Sequence, residues 1–205
     1  MAKILLVRHG ETELNSALRY WGKTDVGLGP QGIRQAEQLR DRLATEKIDC
    51  IYSSPLQRAV TTARIIASFH HPEVTHCAEL REIDFGKLEG LNFDEVRVRF
   101  PEIARMWQEH DPALVYPEGE SLSQLDERIV EFIRRLIKHK PEDTLLVVAH
   151  SGVLRTLICE LLGLERKNRW NLRLDLASLS IVETYPAVAI LSLLNDTSHL
   201  VDGCR

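Results

Sequence analysis

Three short stretches each run from an apolar segment straight into residues able to do chemistry. Val7 leads to Arg8-His9-Gly10. Tyr52 leads to Ser53-Ser54-Pro55, with Arg58 one helical turn further on. Ala149 leads to His150-Ser151-Gly152, with Arg155 one turn on. In open α/β sheets, ligands sit outside the carboxyl ends of the strands, so these junctions can converge although they are far apart in sequence. Two histidines, at least two arginines and the free N–H groups of helix starts then share one pocket, which suits an anion. Arginine's planar fork matches phosphate oxygens and stays charged, so a phosphoryl group is the natural guest. An imidazole nitrogen is a competent nucleophile toward phosphorus.

The leaving alkoxide also needs a proton. Leu80 to Gly86 offers two carboxyls, Glu82 and Asp84, and a carboxyl beside phosphate charge holds its proton more tightly, as an acid must. A metal site on His9, Glu82 and His150 is the rival chemistry. No HExxH or CxxC spacing supports it, and adjacent arginines would repel a cation. No metal and no cofactor is expected.

The elements that must hold these residues alternate. Ile4–Val7, Asp49–Ser53, Val74–Cys77 and Thr144–Ala149 read as strands, and the apolar runs among them suit a sheet buried on both faces. Helices are expected from Pro30, from Ser54-Pro55, from the capping-box signature Ser121–Gln124 and from Ser151. Two further strands, Leu176–Thr184 and Ala187–Leu194, form a terminal hairpin, and 196–205 read as a loose tail. The fold class is α/β: a three-layer α/β/α sandwich with a mostly parallel mixed sheet and an antiparallel edge. Residues 1–205 form a single domain with a lid-like insertion at about 90–120, where one or two short helices are expected.

With 205 residues and a net charge of −4, the chain lacks the basic face of a general nucleic-acid binder. No apolar run approaches the ~20 residues of a membrane span, and no signal peptide is evident. Cys50, Cys77, Cys159 and Cys204 form no CxxC pair, so a cytoplasmic location is expected. The sequence is compatible with a homodimer. His70, His71, His76, His110, His139 and His199 read as surface or loop residues.

The blocks Leu6–Thr12 with Asn15, Ser53–Ala59 with Thr62-Ala63, Glu82 with Phe85-Gly86 and Glu89-Gly90, and Val148–Gly152 resemble the phosphoglycerate-mutase-like branch of the histidine phosphatase superfamily. Four ordered blocks at plausible spacing are specific where a lone RHG is weak. The resemblance implies that His9 takes the phosphoryl group, Arg8 and Arg58 hold its oxygens, and His150 stands opposite as a further cation or hydrogen-bond donor. It places Asn15 and Ser151 against the phosphate or leaving group, and prefers Glu82 over Asp84 as the acid. A non-catalytic binding protein on this fold would typically lack one of these groups, and all are present.

The insertion carries three arginines against seven acidic residues, a local charge of −4. That reads as a poor cover for a substrate bearing both phosphate and carboxylate, which favours hydrolysis over a phosphoglycerate mutase. The same lobe holds Phe93, Phe100, Trp107 and Tyr116, either its own small core or a platform for a ring. The overall pattern is similar to alpha-ribazole phosphatases of cobalamin assembly, with broad-specificity sugar or nucleotide phosphatases as the alternative. Thr12 is read as a cap or a phosphate contact, and Arg155 as a helix-surface residue.

Overall fold

The computed structural model describes residues 2–14 and 19–201, so Asn15 and Cys204 lie outside the described residues. Six strands form one sheet in the order β3-β2-β4-β1-β5-β6: β1 (Ala2–Arg8), β2 (Cys50–Ser53), β3 (Val74–His76), β4 (Thr144–Ala149), β5 (Leu179–Thr184) and β6 (Ala189–Asp196). β1 and β2 flank β4, and β3 flanks β2, all in parallel. β5 adds to β1, and β6 to β5, antiparallel. The α/β/α sandwich and the antiparallel edge thus agree with the expectation.

Alternation of side chains along β1 explains the three layers. Leu5 and Val7 pack against α1 (Pro30–Leu43) and α2 (Gln57–Ala67) through Leu39, Leu43, Ala59, Ala63 and Ile66. Ile4 and Leu6 belong to the opposite core, with Leu125, Ile129 and Phe132 of α5 (Leu122–Leu136) and Val153, Leu157 and Ile158 of α6 (Ser151–Leu162). Full burial of such side chains stabilises by roughly 1.5–3 kcal/mol each. The Ser121 hydroxyl accepts the Gln124 amide while the Gln124 side chain accepts the Ser121 amide, completing the capping box that starts α5.

Position follows from topology. The β1–α1–β2 connection passes over β4 to one side, whereas β4–α6–β5 passes over β1 to the other. β1 and β4 therefore meet where the winding reverses, and a crevice opens at their carboxyl ends. His9 follows β1 there and His150 follows β4.

Strand ends shift by one to three residues from expectation, and three differences bear on the site. α2 starts at Gln57 after an extended Leu56, not at Ser54. β5 starts at Leu179, because Ala177 takes φ 53° while its amide bonds the His9 carbonyl. The segment after β6 is docked: Leu200 is buried and His199 Nε2 donates to the Ala177 carbonyl, 3.0 Å. His139 lies in the loop after α5, as expected, with its ring on the Tyr52 hydroxyl, 2.7 Å.

The 90–120 insertion contains α3 (Phe93–Arg99) and α4 (Pro101–Glu109). Its aromatic rings mainly pack on one another and on their neighbours: Trp107 on Tyr20 (4.7 Å between centroids) and Tyr116 on Phe85 (5.1 Å). Among the described residues no helix is long and apolar enough to cross a membrane.

Candidate active site

β1 delivers His9 into the crevice and its surroundings fix the ring. The backbone is held on both sides, with the His9 amide donating to Ala149 O and His9 O accepting from Ala177 N. The imidazole Nδ1 lies 2.7 Å from the Gly10 carbonyl. A carbonyl only accepts, so Nδ1 carries the proton and Nε2 keeps its lone pair. The ring is buried, and this burial, aided by Arg58 and Arg8, holds its pKa well below the ordinary 6.5. A neutral imidazole with a free Nε2 is the form a nucleophile needs.

His150 stands edge-on to it, ring centroids 5.0 Å apart. Arg58 Nε donates to His150 Nδ1 (3.3 Å), leaving Nε2–H to donate to Ser54 Oγ (2.8 Å). Burial, then the neighbouring His9 and Arg58, keep this imidazole neutral too. Of the two roles anticipated for His150, further cation or hydrogen-bond donor, its surroundings favour the second. It is a neutral spacer tying the β2 and β4 ends together.

Arg58 also donates to the carbonyls of Thr24 and Gly22, both at 2.8 Å. From the other side, the Glu89 carboxylate accepts the amides of Gly22, Lys23 and Thr24. The 22–24 loop is thus gripped between a donor and an acceptor. Three of the five Arg58 N–H groups are used there and on His150, leaving two for an anion. Arg8 donates to Leu174 O, while its Nε is sequestered without a partner among the described residues. Burial lowers Arg8 to about 10, still charged at neutral pH.

Glu82 arrives from the segment after β3. One oxygen accepts its neighbour Ile83's amide (3.0 Å) and the other accepts the Gly152 amide in the first turn of α6 (3.2 Å). Asp84 instead pairs with Lys23 and accepts Gly86 N. Arg8, His9, Arg58, Glu82 and Ser151 all line one cavity of about 810 Å³, as does the buried Thr12. His150 lies directly behind it, through Arg58 and His9. No group of three metal-ligating side chains stands together among the described residues.

Several wall residues were not anticipated. Arg155 lines the cavity with a buried, unpartnered Nε, so it is no helix-surface residue. Its offset from the α6 start equals that of Arg58 from Ser54, which was the available signal. Thr62 Oγ1 accepts the Gly10 amide and Gln35 accepts the Glu11 amide, so α1 and α2 hold the loop after β1. Gly10 itself answers to packing: a Cβ there would stand 2.5 Å from the Gly32 carbonyl oxygen.

The charge reading of the insertion is also corrected. Four of its carboxylates turn to cations outside the cavity, Glu120 to Arg128, Glu118 to Lys87, and Glu102 and Glu109 to Arg105, while Glu95 pairs with the wall residue Arg19. None of the insertion's seven acids lines the cavity, whose wall instead carries Arg8, Arg19, Arg58, Arg155, Arg169 and Arg173 against Glu11, Glu82 and Asp175. Arg19, Arg169 and Arg173 are paired with Glu95, Asp126 and Asp175, so the positive charge that meets a ligand is that of Arg8, Arg58 and Arg155.

Comparison with known proteins follows this geometry. The model of the histidine phosphatase superfamily, branch 1, matches residues 4–197. Phosphoserine phosphatase 1 of Hydrogenobacter thermophilus is 36% identical over 98% of this chain and 95% of its own. The adenosylcobalamin/alpha-ribazole phosphatase of Escherichia coli is 31% identical, covering 98% and 99%. The crystal structure of the alpha-ribazole phosphatase from Shigella flexneri superposes with a TM-score of 0.86 at 30% identity, over 95% of this chain and 96% of that one.

Proposed function

Since the chain belongs to the histidine phosphatase superfamily and is a phosphatase of that family, we propose that it hydrolyses a small phosphomonoester, without a metal, through a phosphohistidine on His9. The observation that carries this reading is the bond from His9 Nδ1 to the Gly10 carbonyl, which leaves a neutral Nε2 at the cavity.

The steps balance on residues of this chain. The Nε2 lone pair attacks phosphorus and the P–O bond to the leaving group breaks. Glu82 gives its proton to that oxygen. Arg8 and the two free N–H groups of Arg58 hold the phosphoryl oxygens, met also by the N-terminus of α6 at Ser151. Asn15 joins them in this reading from outside the described residues. Water then attacks phosphorus, its proton passes to the Glu82 carboxylate, and the N–P electron pair returns to His9. Fixed cations supply the electrostatic stabilisation that metal ions provide in kinases.

The narrower reading is an alpha-ribazole-type phosphate and a place in cobalamin assembly. It is supported by the Escherichia coli relative and by rings of Tyr20, Phe85, Trp107 and Tyr116 in the cavity wall. Against it, those rings are largely engaged with each other. A cytoplasmic setting fits Cys50, Cys77 and Cys159, which are free thiols.

Acid-quench trapping tests the core of the proposal. Radiolabelled substrate should give an acid-labile, base-stable label on the wild type and none on His9→Ala. A label persisting in that variant, or activity that a chelator abolishes and a divalent ion restores, overturns it. A panel of alpha-ribazole phosphate, nucleotides, sugar phosphates and 3-phosphoglycerate then separates the narrower readings, isomerisation included.

A further inference from the structure

Resting on that reading of the site, we infer that Arg155 recognises a carboxylate on the leaving-group side of the substrate, which makes phosphorylated hydroxy or amino acids the preferred class.

Arg155 sits on α6, one turn beyond Ser151, and its side chain lines the cavity. It makes no hydrogen bond or ion pair with any described residue, and its Nε is closed off from solvent. Arg155 is half-buried, and a sequestered donor left unmet costs free energy that a bound anion would recover. Arg8 also carries an orphan Nε, so the cavity presents two unmet cationic donors rather than one. A single phosphoryl group accounts for Arg8, Arg58 and His9.

Placement separates Arg155 from that group. Gly152, three residues before it on α6, donates its amide to Glu82, and residues three apart share a helix face. Arg155 therefore rises beside the proton donor, where the leaving oxygen must lie, with Glu82 and Asp175 as its charged neighbours.

During the first step Glu82 carries its proton and is neutral. Asp175 is then the remaining negative neighbour, and it is already committed to Arg173 Nε and Asn195 Nδ2. A carboxylate two or three bonds beyond the bridging oxygen would complete the balance. The acidic insertion does not oppose it, because none of its carboxylates lines the cavity.

The test compares phosphoserine with phosphoethanolamine, which differ by the carboxylate alone. The wild type should favour phosphoserine in kcat/KM by about 10- to 150-fold, the range of a charge-assisted contact. Arg155→Gln should collapse that ratio to within about 3-fold, mostly through KM, and Arg155→Lys should restore part of it. 3-Phosphoglycerate should follow phosphoserine. Circular dichroism and thermal melting check that each variant folds, and the wild-type ratio stands without any variant. A wild type indifferent to the carboxylate overturns the inference. So does Arg155→Gln losing equally on phosphoserine, phosphoethanolamine and p-nitrophenyl phosphate, which would make it a phosphoryl clamp. In both cases the acid-labile label on His9 still forms. Absence of that label on the wild type with every substrate would instead defeat the proposed function, and this inference with it.

Discussion

The Gly152 amide donates to Glu82 Oε2 at 3.2 Å, and a Cβ added to Gly152 would stand 2.7 Å from Glu82 Oε1. The carboxyl proposed as acid is thus positioned by the helix that begins beside His150. Its seat exists only because residue 152 has no side chain. The contact is with the far end of a flexible side chain, so an added methyl should displace the carboxyl and leave the fold intact.

Gly152→Ala should accordingly imitate a partial loss of the acid. With an alkyl phosphate, kcat should fall by about 10²-fold, within the range for general acid catalysis. With p-nitrophenyl phosphate, whose leaving group needs little protonation, the loss should stay several-fold smaller. Glu82→Gln should show the same split more strongly. Equal losses on both substrates in both variants would remove Glu82 from the acid role.

The two buried imidazoles make a pH prediction whose sign follows from their direction of shift. Both lie well below 6.5 in the folded protein, mainly through burial. Unfolded, each takes up a proton near 6.5. Their contribution to stability is full above that pH and is lost as pH falls through it, because the unfolded chain then binds more protons. The slope is at most about 1.4 kcal/mol per pH unit for each histidine. Urea denaturation between pH 7.5 and 5.5 should show His9→Asn losing one such increment relative to the wild type. Identical slopes would mean the folded imidazole titrates normally. The acid limb of kcat/KM should likewise fall below 6.5 once the phosphate's own ionisation is allowed for.

Much of this site was legible because buried parallel strands are written as apolar runs, and the residue after such a run stands at a crevice. That logic brought His9 and Arg58 to one cavity from positions 49 residues apart, and the family resemblance chose Glu82 over Asp84 beside them. It failed where direction mattered. The charge of the insertion could be counted, but only the fold shows Glu95 turned to Arg19 and Glu120 to Arg128. Arg155 was visible at helical spacing, yet the side of the first turn of α6 that meets the cavity depends on β5 and the loop before it. The need for glycine at position 10 was not legible either, because it is set by Gly32, in a helix 22 residues away in sequence.

That pairing of glycines gives a stability prediction. A Cβ on Gly10 would meet backbone, 2.5 Å from Gly32 O and 3.0 Å from its Cα. Backbone cannot swing aside as the Glu82 carboxyl can. Gly10→Ala should destabilise by about 1–3 kcal/mol, the range for overpacking, and should loosen the Gly10 carbonyl that orients His9. Denaturant midpoints and the yield of phosphoenzyme should fall together. An unchanged midpoint would show that α1 yields freely.

Asp126 and the wall residue Arg169 form a buried ion pair at 2.6 Å, with Arg166 also on Asp126 from the surface at 3.1 Å. Arg169 Nε bonds Arg166 O, and its NH1 bonds Thr156 Oγ1, which donates in turn to Gly152 O. The pair therefore ties α5 and the segment 166–171 to the turn that seats Glu82. Removing one member leaves the other charge buried, whereas removing both does not. Asp126→Ala should cost about 3–5 kcal/mol of stability. The double variant Asp126→Leu/Arg169→Met should recover most of that loss. Catalysis should not recover in parallel, because the apolar pair cannot hold Thr156 and the Gly152 carbonyl. A double-mutant cycle on denaturation free energy, run beside kcat on an alkyl phosphate, measures both. Additive losses in stability would show that the two side chains act independently, and restored kcat in the double variant would sever the link from this pair to Glu82.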